Sequence, residues 1–578
     1  MNKVIDGRLN RGPLRKRLGF LVLVSCLATL VLPSTASAEH GTNPAEMSPN
    51  MFHVANRPPG PPTGPATTNS DLAFWRGGFR GGHNEIAAAG NYNGFRLFDI
   101  GDPENPVEVA NFRCRSNQGD VSFYKANNRV LLIQSVDRPV TTANCATAQD
   151  TPVVSFPGFP NRFGPGFEGL RIFDVTNPTA PVHIASAPTA CGSHTHTTIP
   201  DKDDQRAVIY VSSYPIGASV TPPQVEAPGP RCVQPHNQIS IVEIYDKDPA
   251  NPVVRDYPLD ADTQFFRGTL GSGGTGAKGC HDITTLTEAS QSPESNPGPR
   301  RETAAAACLE EGQLWDISDP ANPTTTVAGK HSHIYNPAIT PANPIAGGLF
   351  HTASFTWDGE VILFTDEWQG GGAHGCDGEQ DTRGNVWFYK AVPPGTPNVP
   401  VYGRYMMPRP QPAGEICTLH NGNVIPTNDG YFGVSSAYEG GTTVFDFTGV
   451  EERPEIASPS HGAPFATPPP LAAREVAWSD QQGSDGRTKD DTWSSYWYND
   501  YIWVNGGLNR TTPGTPVATQ RGFDVYKILL PSGKDLGDEI DPNDTFTHQY
   551  RARKWHHSNP QTQETSQGTG WGQGDQSG

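Results

Sequence analysis

Short apolar runs separated by turn residues recur along the whole chain, and no long run has helical periodicity. The first full set of four runs lies at 71–75, 85–89, 94–100 and 107–110, and the same order returns six more times. Gly and Pro are abundant, at 62 and 56 residues, which is typical of many short strands joined by turns. Seven units of four strands predict an all-β fold, a seven-bladed β-propeller.

The third run of each early unit ends in a shared motif. It reads Gly, apolar, any, apolar, Phe or Trp, Asp, apolar, and Asp/Asn-Pro-x-x-Pro follows it, as in 94–106 and 169–181. This motif resembles the repeats of the LVIVD-repeat proteins, which are exported propeller-like proteins of bacteria. The resemblance covers roughly 70–530 and is clearest in the first four units. It implies a propeller but little about activity, because one fold hosts many unrelated functions.

The N-terminus has the pattern of a secretory signal peptide. Five basic residues between positions 8 and 17 precede an apolar run at 18–32, and Ala36-Ser-Ala38 has the small-x-small form of a cleavage site. We therefore expect a secreted or extracellular protein, with lipoprotein anchoring at Cys26 as the weaker alternative. The expected domains are a signal peptide (1–38), an N-terminal extension (39–69), a propeller (70–557) and a disordered tail (558–578).

The charge of the chain restricts its partners. The net charge is −18, and removal of 1–38, which holds six basic residues and one acidic residue, would bring it to about −23. Such acidity argues against nucleic acid and leaves cationic ligands open. No second apolar stretch is long enough to span a membrane. We expect a monomer whose partner is an extracellular carbohydrate or another small acidic ligand.

Four histidines stand at the head of an inner-strand run in four successive units. They are His194, His281, His351 and His420. Because the inner strands of a propeller line its channel, these imidazoles should converge at the channel mouth. Neutral imidazole suits Zn, Mn, Cu or Fe, whereas calcium prefers carboxylate oxygen. The pattern predicts a site for a divalent transition metal, although a channel histidine can also simply bind water.

Other polar residues fall beside this predicted site. His196, Tyr214 and Tyr438 are the candidate catalytic residues, since each should reach the same face of the propeller. The pairs at 366–367 and 438–439 also end second strands, but they are interpreted mainly as loop anchors. The histidines at 331, 333, 556 and 557 are interpreted as surface residues.

Eight cysteines remain after residue 38, and they fall at equivalent loop positions of the repeat. An even number in an exported chain suggests disulfides. Their positions favour four pairs, with free thiols or another pairing as the alternative: Cys114–Cys145, Cys191–Cys232, Cys280–Cys308 and Cys376–Cys417.

Closure of the ring requires a strand from one end of the chain. The run 51–55 resembles the outer strand of the first unit, so we expect it to join the seventh unit as its outer strand. The run 545–553 is the other candidate.

Three functions fit these patterns. The first is a metal-assisted enzyme, with a uronate polysaccharide lyase favoured by analogy, because a metal can neutralise a substrate carboxylate while a nearby side chain removes the α-proton. The second is a copper-dependent oxidase. The third is a non-catalytic extracellular scaffold in which any metal is structural.

Overall fold

The computed structural model describes residues 47–529 except for internal gaps, and all described residues belong to the compact unit His40–Gly578. The gaps are 59–67, 141–142, 146–166, 202–203, 215–231, 233–235, 261–278, 288–301, 310, 338–347, 357, 372–374, 376–381, 410, 412–414, 426–429, 459–464, 466, 481–490, 500 and 507–521. The predicted signal peptide, the predicted tail and the alternative closing run 545–553 lie outside the described residues.

The described strands form seven four-stranded antiparallel sheets. Blade 1 contains β2 (Asn69–Arg76), β3 (Glu85–Asn91), β4 (Gly94–Asp99) and β5 (Val107–Arg113). Blade 2 contains β6 (Val121–Ala126), β7 (Arg129–Val140), β8 (Phe167–Asp174) and β9 (Val182–Pro188). Blade 3 contains β10 (Thr195–Asp201), β11 (Arg206–Ser212), β12 (Gln238–Tyr245) and β13 (Val253–Pro258). Blade 4 contains β14 (Asp282–Leu286), β15 (Thr303–Cys308), β16 (Glu311–Asp316) and β17 (His331–Tyr335).

The remaining three blades follow the same order. Blade 5 contains β18 (Phe350–Phe355), β19 (Val361–Asp366), β20 (Val386–Lys390) and β21 (Val401–Tyr405). Blade 6 contains β22 (Gly422–Ile425), β23 (Phe432–Ser436), β24 (Thr442–Asp446) and β25 (Arg474–Ser479). Blade 7 contains β26 (Thr492–Tyr498), β27 (Tyr501–Gly506), β28 (Gly522–Ile528) and β1 (Met51–Arg57). Two short 3-10 helices occur in the described chain, at Trp368–Gly370 and Val450–Glu452.

The first strands of blades 1 to 7 contact one another in a closed circle. Contacts run from β2 to β6, β10, β14, β18, β22 and β26, and from β26 back to β2. These strands therefore surround a common axis, and the predicted all-β, seven-bladed β-propeller is confirmed.

The propeller closes through the N-terminal strand, as predicted. Strand β1 pairs antiparallel with β28, so that Met51 lies opposite Ile528 and Arg57 lies opposite Phe523. A buried Asn50 adds two hydrogen bonds from its side-chain amide, to the carbonyls of Val476 (3.0 Å) and Leu529 (2.9 Å). The start of the described chain is thereby joined to blades 6 and 7.

Apolar side chains fill each interface between neighbouring blades. The middle strands are apolar at nearly every position because successive side chains point to opposite faces and both faces are covered. In β12, Ile241 packs towards blade 4, whereas Val242 packs towards blade 2. At the closing interface, Phe98 of blade 1 stacks on Phe523 of blade 7, with ring centroids 4.3 Å apart. The aromatic residues of the third strands thus form the core between blades.

The predicted local disulfides are confirmed for three blades. Cys114 pairs with Cys145, Cys191 with Cys232, and Cys280 with Cys308. Cys417 is also disulfide-bonded, but its predicted partner Cys376 lies outside the described residues. Three disulfides are consistent with an extracellular protein. In the described chain, no helix is both long and apolar enough to cross a membrane.

Candidate metal centre

The four leading histidines lie side by side at the start of the inner strands of blades 3, 4, 5 and 6. Their ring centroids are 4.3 Å apart for His194 and His281, 3.7 Å for His281 and His351, and 4.0 Å for His351 and His420. The backbone places them equivalently: the amides at 194, 281 and 420 each bond to a carbonyl near the end of the neighbouring second strand, at 2.9, 2.7 and 2.9 Å. The repeat therefore brings all four predicted residues together.

A carboxylate lies against the middle of this row. Glu367 places Oε2 3.8 Å from Nε2 of His351 and Oε1 3.6 Å from Nε2 of His420. One ligand atom from each of His281, His351 and Glu367 lies within 4.8 Å of the other two. In a tetrahedral zinc site with bonds near 2.0–2.1 Å, neighbouring ligand atoms are about 3.3 Å apart. The two separations between Glu367 and the histidines, 3.8 and 3.6 Å, are within about 0.5 Å of that spacing.

Hydrogen bonds at Nδ1 orient two of the imidazoles. The Nδ1–H group of His420 donates to the carbonyl of Trp493 at 2.5 Å. That of His351 donates to the hydroxyl of Thr352 at 2.6 Å, and this hydroxyl donates to Asn421. Both neutral rings therefore keep their lone pair on Nε2, the nitrogen that faces Glu367.

Burial keeps the central histidines neutral. Desolvation, followed by the neighbouring imidazoles, lowers the pKa of His281 and of His351 well below the usual 6.5. The buried Nδ1 of His281 has no hydrogen-bond partner among the described residues. Neutral imidazoles with an unsatisfied ring nitrogen are what a transition metal requires, so these side chains fit such an ion.

His194 differs from His351 and His420 in its partners, because its nitrogens lie beside Asp137, Tyr214 and Gln118 rather than beside Glu367. Nδ1 lies 3.2 Å from Oδ1 of Asp137, and Nε2 lies 3.3 Å from the hydroxyl of Tyr214 and 3.3 Å from the amide nitrogen of Gln118. An imidazole held between a carboxylate and a tyrosine is better placed to move a proton than to bind a metal.

His196 lies deeper in the protein, on β10. Its Nε2 is 2.7 Å from the hydroxyl of Ser122, and its Nδ1 is 2.8 Å from that of Ser135 and 3.0 Å from Oδ2 of Asp120. The side chain is fully buried and joins blade 3 to blade 2. The catalytic role expected for His196 stays a prediction, although these contacts suit a residue that holds two blades together.

Residues at the ends of the second strands surround the histidines, but some of them face the histidines whereas others bind the backbone of nearby loops. Tyr438 has a left-handed backbone, with φ of 47°, and its hydroxyl donates to Oε1 of Glu367. Asp366 accepts from the amide of Leu349 at 2.5 Å, and Glu439 accepts from the amide of Ile416 at 2.6 Å. Asp366 and Glu439 thus anchor loops as expected, whereas Glu367 faces the histidines.

Sequence reasoning gave one neighbour of the histidines a different role and missed another. Glu367 was interpreted mainly as a loop anchor, and Asp137, the partner of His194, was not considered. Glu367 directly follows β19, and Asp137 lies within β7, three residues before its end; both stand at the repeat position that also carries Tyr214 and Tyr438. That shared position is the signal that could have found them.

A small cavity connects the histidine row to a layer of polar side chains further along the inner strands. Its free volume, about 10 Å³, is close to that of one water-sized sphere. The cavity is lined by Ser70, Asp71, Gln118, Asp120, Thr195, His281, His351, His420, Asn421 and Trp493. Burial, followed by the charges of Asp120 and Asp71, raises the pKa of the neighbouring Asp282 well above its usual range. The cavity is acidic and therefore favours a cation.

Gly371 allows the Tyr438–Glu367 contact, and we expect its replacement by alanine to weaken metal binding. Gly371 has φ of +62°, and an added Cβ would lie 2.6 Å from the Tyr438 hydroxyl and 2.8 Å from Oε1 of Glu367. Displacing Glu367 should lower metal affinity by about 10-fold or more. Titration against a chromophoric chelator measures this change.

Gly449 provides the matched control for this substitution. It has φ of +73°, and an added Cβ meets nothing within 4 Å. Both alanine variants bear a similar backbone cost of about 1 kcal/mol, but only Gly371→Ala should change metal affinity. Equal affinities for the two variants would show that Glu367 does not contribute to binding.

Comparisons with known proteins return no family, and the solved structures that they return are only distantly similar. No family model and no curated protein matches the sequence. Among solved structures, the β-propeller domain of Myceliophteria thermophila Cps50 (Swd1) is 9% identical, with 83% of this chain and 99% of that chain covered and a TM-score of 0.40. U3-55K is 7% identical, with 84% and 100% covered and a TM-score of 0.40. Chaetomium thermophilum Raptor is 9% identical, with 83% and 29% covered and a TM-score of 0.37. The assignment of a propeller fold rests on the closed ring of seven four-stranded sheets.

Proposed function

We propose that this protein binds a divalent transition metal at the channel mouth through His281, His351, His420 and Glu367, and that it acts there as a metal-assisted enzyme. The observation that carries the proposal is that one ligand atom from each of His281, His351 and Glu367 lies within 4.8 Å of the other two, while Nε2 of His420 lies 3.6 Å from Oε1 of Glu367. A bound metal would supply positive charge that polarises a substrate oxygen. Membership of the LVIVD-repeat proteins and export by residues 1–38 stay predictions.

The neighbouring side chains provide for proton transfer. The Asp137–His194–Tyr214 group forms a hydrogen-bonded series that ends beside His281, since the rings of Tyr214 and His281 have centroids 5.6 Å apart. Asp137 orients His194, and His194 can accept a proton from the Tyr214 hydroxyl. Tyr214 is thereby placed to exchange a proton with a substrate, and Tyr438 is held to Glu367 on the opposite side of the row.

An acidic carbohydrate is the substrate class we propose, by analogy with uronate lyases. In that reaction a base removes the proton α to the carboxylate and the bond to the neighbouring sugar breaks. The carboxylates of Asp71 and Asp120, which line the cavity, would repel such a substrate there. The substrate carboxylate would therefore stay at the mouth, where a bound metal would supply positive charge that offsets the negative charge of the carboxylate. Oxidation by copper would use the same imidazoles, and elemental analysis of the purified protein separates the two possibilities.

A structural metal in a non-catalytic scaffold is the second candidate, and burial favours it. His281, His351 and His420 are each at most 2% exposed, and with Glu367 they already provide four ligands. Four protein ligands make a closed site, whereas a catalytic site keeps one position for water or substrate.

Cobalt substitution distinguishes these functions. Protein loaded with Co²⁺ should show visible absorption bands that shift when azide is added, because an enzyme must offer an open coordination position. Bands that do not move at saturating azide would reject the enzyme in favour of the scaffold. A protein that binds no Co²⁺ or Zn²⁺ at this site would reject the metal centre itself.

A further inference from the structure

A second group of potential ligands lies at the outer edges of blades 3 and 4. His331 and His333 occupy alternate positions of β17 and therefore point to the same side of the sheet. Asp260 follows β13, the outermost strand of blade 3. One ligand atom from each of these three residues lies within 4.8 Å of the other two. Nε2 of His331 is 3.0 Å from Oδ2 of Asp260.

Hydrogen bonds fix the orientation of both imidazoles. Nδ1–H of His333 donates to Oε2 of Glu311 at 2.8 Å, and Nδ1–H of His331 donates to the carbonyl of Val327 at 3.0 Å. With the proton on Nδ1, each neutral ring carries its lone pair on Nε2. A carboxylate behind the histidine, as Glu311 is here, is typical of metal-binding imidazoles.

Glu311 belongs to a buried network that also positions Asp260. Its side chain is fully buried, and Oε1 accepts from the amide of Gln313 at 2.7 Å. The same amide donates to the backbone carbonyl of Asp260 at 3.0 Å, while its oxygen accepts from Trp315 at 2.9 Å. One glutamine therefore connects the loop that carries Asp260 to the carboxylate that orients His333. The two imidazoles and the backbone of Asp260 are therefore held in place before any ion binds.

Ion pairing alone would be the simpler explanation, because a protonated histidine attracts a carboxylate. The pair His83–Asp99, with Nδ1 2.6 Å from Oδ2, is an example elsewhere on this protein. The group at blades 3 and 4 differs because a third ligand atom joins the pair, which among the described residues is seen only here and at the channel mouth.

We propose that Asp260, His331 and His333 bind a second divalent transition metal of zinc type, which joins the outer edges of blades 3 and 4. Two nitrogens and one oxygen from the protein leave a fourth tetrahedral position for water. The Asp260 side chain is 53% exposed, so the ion can exchange with solution. This site is separate from the channel mouth, and its existence does not depend on the function proposed above. The two histidines interpreted from the sequence as surface residues would thus be ligands.

Zinc titration of the full chain tests this proposal. In competition with a chromophoric chelator, the wild-type protein should bind one Zn²⁺ more than the double variant His331→Ala/His333→Ala. Zn²⁺ should also raise the Tm of the wild type more than that of the double variant, because an ion that binds only the folded state stabilises it. Glu311→Gln keeps all three ligands, and it should retain the stoichiometry with an affinity about 10–100-fold lower.

Two further variants complete the experiment. His83→Ala removes a histidine from a simple histidine–aspartate pair and should bind as much Zn²⁺ as the wild type. Asp260→Asn changes an exposed side chain, so it tests the site even if the double variant fails to fold, and it should lower affinity. The proposal is wrong if His331→Ala/His333→Ala or, should it not fold, Asp260→Asn binds Zn²⁺ as the wild type does. It is also wrong if His83→Ala loses the same equivalent. Repeating the titration in His351→Ala protein separates this site from the channel mouth.

Discussion

Replacing His351 by alanine should lower the affinity of the channel mouth for a transition metal by about 100-fold or more while the propeller stays folded. His351 is the central imidazole of the row, with both neighbouring rings at 3.7 and 4.0 Å and Glu367 at 3.8 Å. The substitution removes one metal ligand, and it also removes the ring that packs between His281 and His420. Elemental analysis after dialysis, together with circular dichroism, measures metal content and folding.

Replacing His194 by alanine should have a different result. His194 is held by Asp137 and Tyr214 rather than by Glu367, so the variant should keep its metal but lose activity on a substrate of the wild type. His83→Ala is the control for a histidine outside the site. If His351→Ala keeps the full metal content, or if His194→Ala loses as much metal as His351→Ala does, the ligand set assigned here is wrong.

Removing the disulfide beside the site should destabilise the protein and disturb the metal centre together. Cys280 directly precedes His281, and Cys308 ends the neighbouring second strand. Loss of a bridge that closes a loop of 28 residues should lower the free energy of unfolding by about 3.5 kcal/mol. The backbone that carries His281 would then be less restrained, so Cys280→Ser/Cys308→Ser should also bind metal more weakly. Urea unfolding and metal titration measure the two effects.

The disulfide of blade 2 provides a matched control. Cys114 and Cys145 close a loop of nearly the same length, 31 residues, but the inner strand of blade 2 carries no histidine of the row. The double variant at these positions should lose similar stability and keep its metal affinity. Equal loss of affinity in both variants would mean that the effect comes from general loosening of the propeller.

Much of the fold could be predicted from the sequence, because the repeated pattern of apolar runs and turn residues indicates the strands and the turns between them. The pattern at 94–106 predicts a third strand and a turn that leads into an outer strand, and the structure places β4 at Gly94–Asp99 and β5 directly after the pattern, at Val107–Arg113. The closing strand could be predicted because residues 51–55 repeat the alternation of an outer strand. The cysteine pairs followed from the same equivalence between blades.

The candidate site was predictable only where the same residue type recurs at the same position in several blades. Four histidines share one position, so their convergence follows from the fold. Glu367 is unique to blade 5, and nothing in the sequence shows whether its side chain faces the histidines or the loop. Asp260, His331 and His333 meet because the edges of two blades are adjacent, and the sequence pattern carries no information about which loop residue lies beside which outer strand.

The closing strand has a consequence for how the protein can be made. His53 of β1 contacts Asp524 of β28 at 2.7 Å across 471 positions of sequence, so blade 7 cannot form until almost the entire chain has been synthesised. Contacts between such distant residues form slowly, because a long loop must close first. The six blades formed by 69–479 would have exposed surfaces on blades 1 and 6 until blade 7 folds between them. Pairing of β1 with β28 is the step that completes blade 7. A truncation that removes 47–57 should therefore yield a chain that assembles blades but exposes β28 to pairing with other molecules.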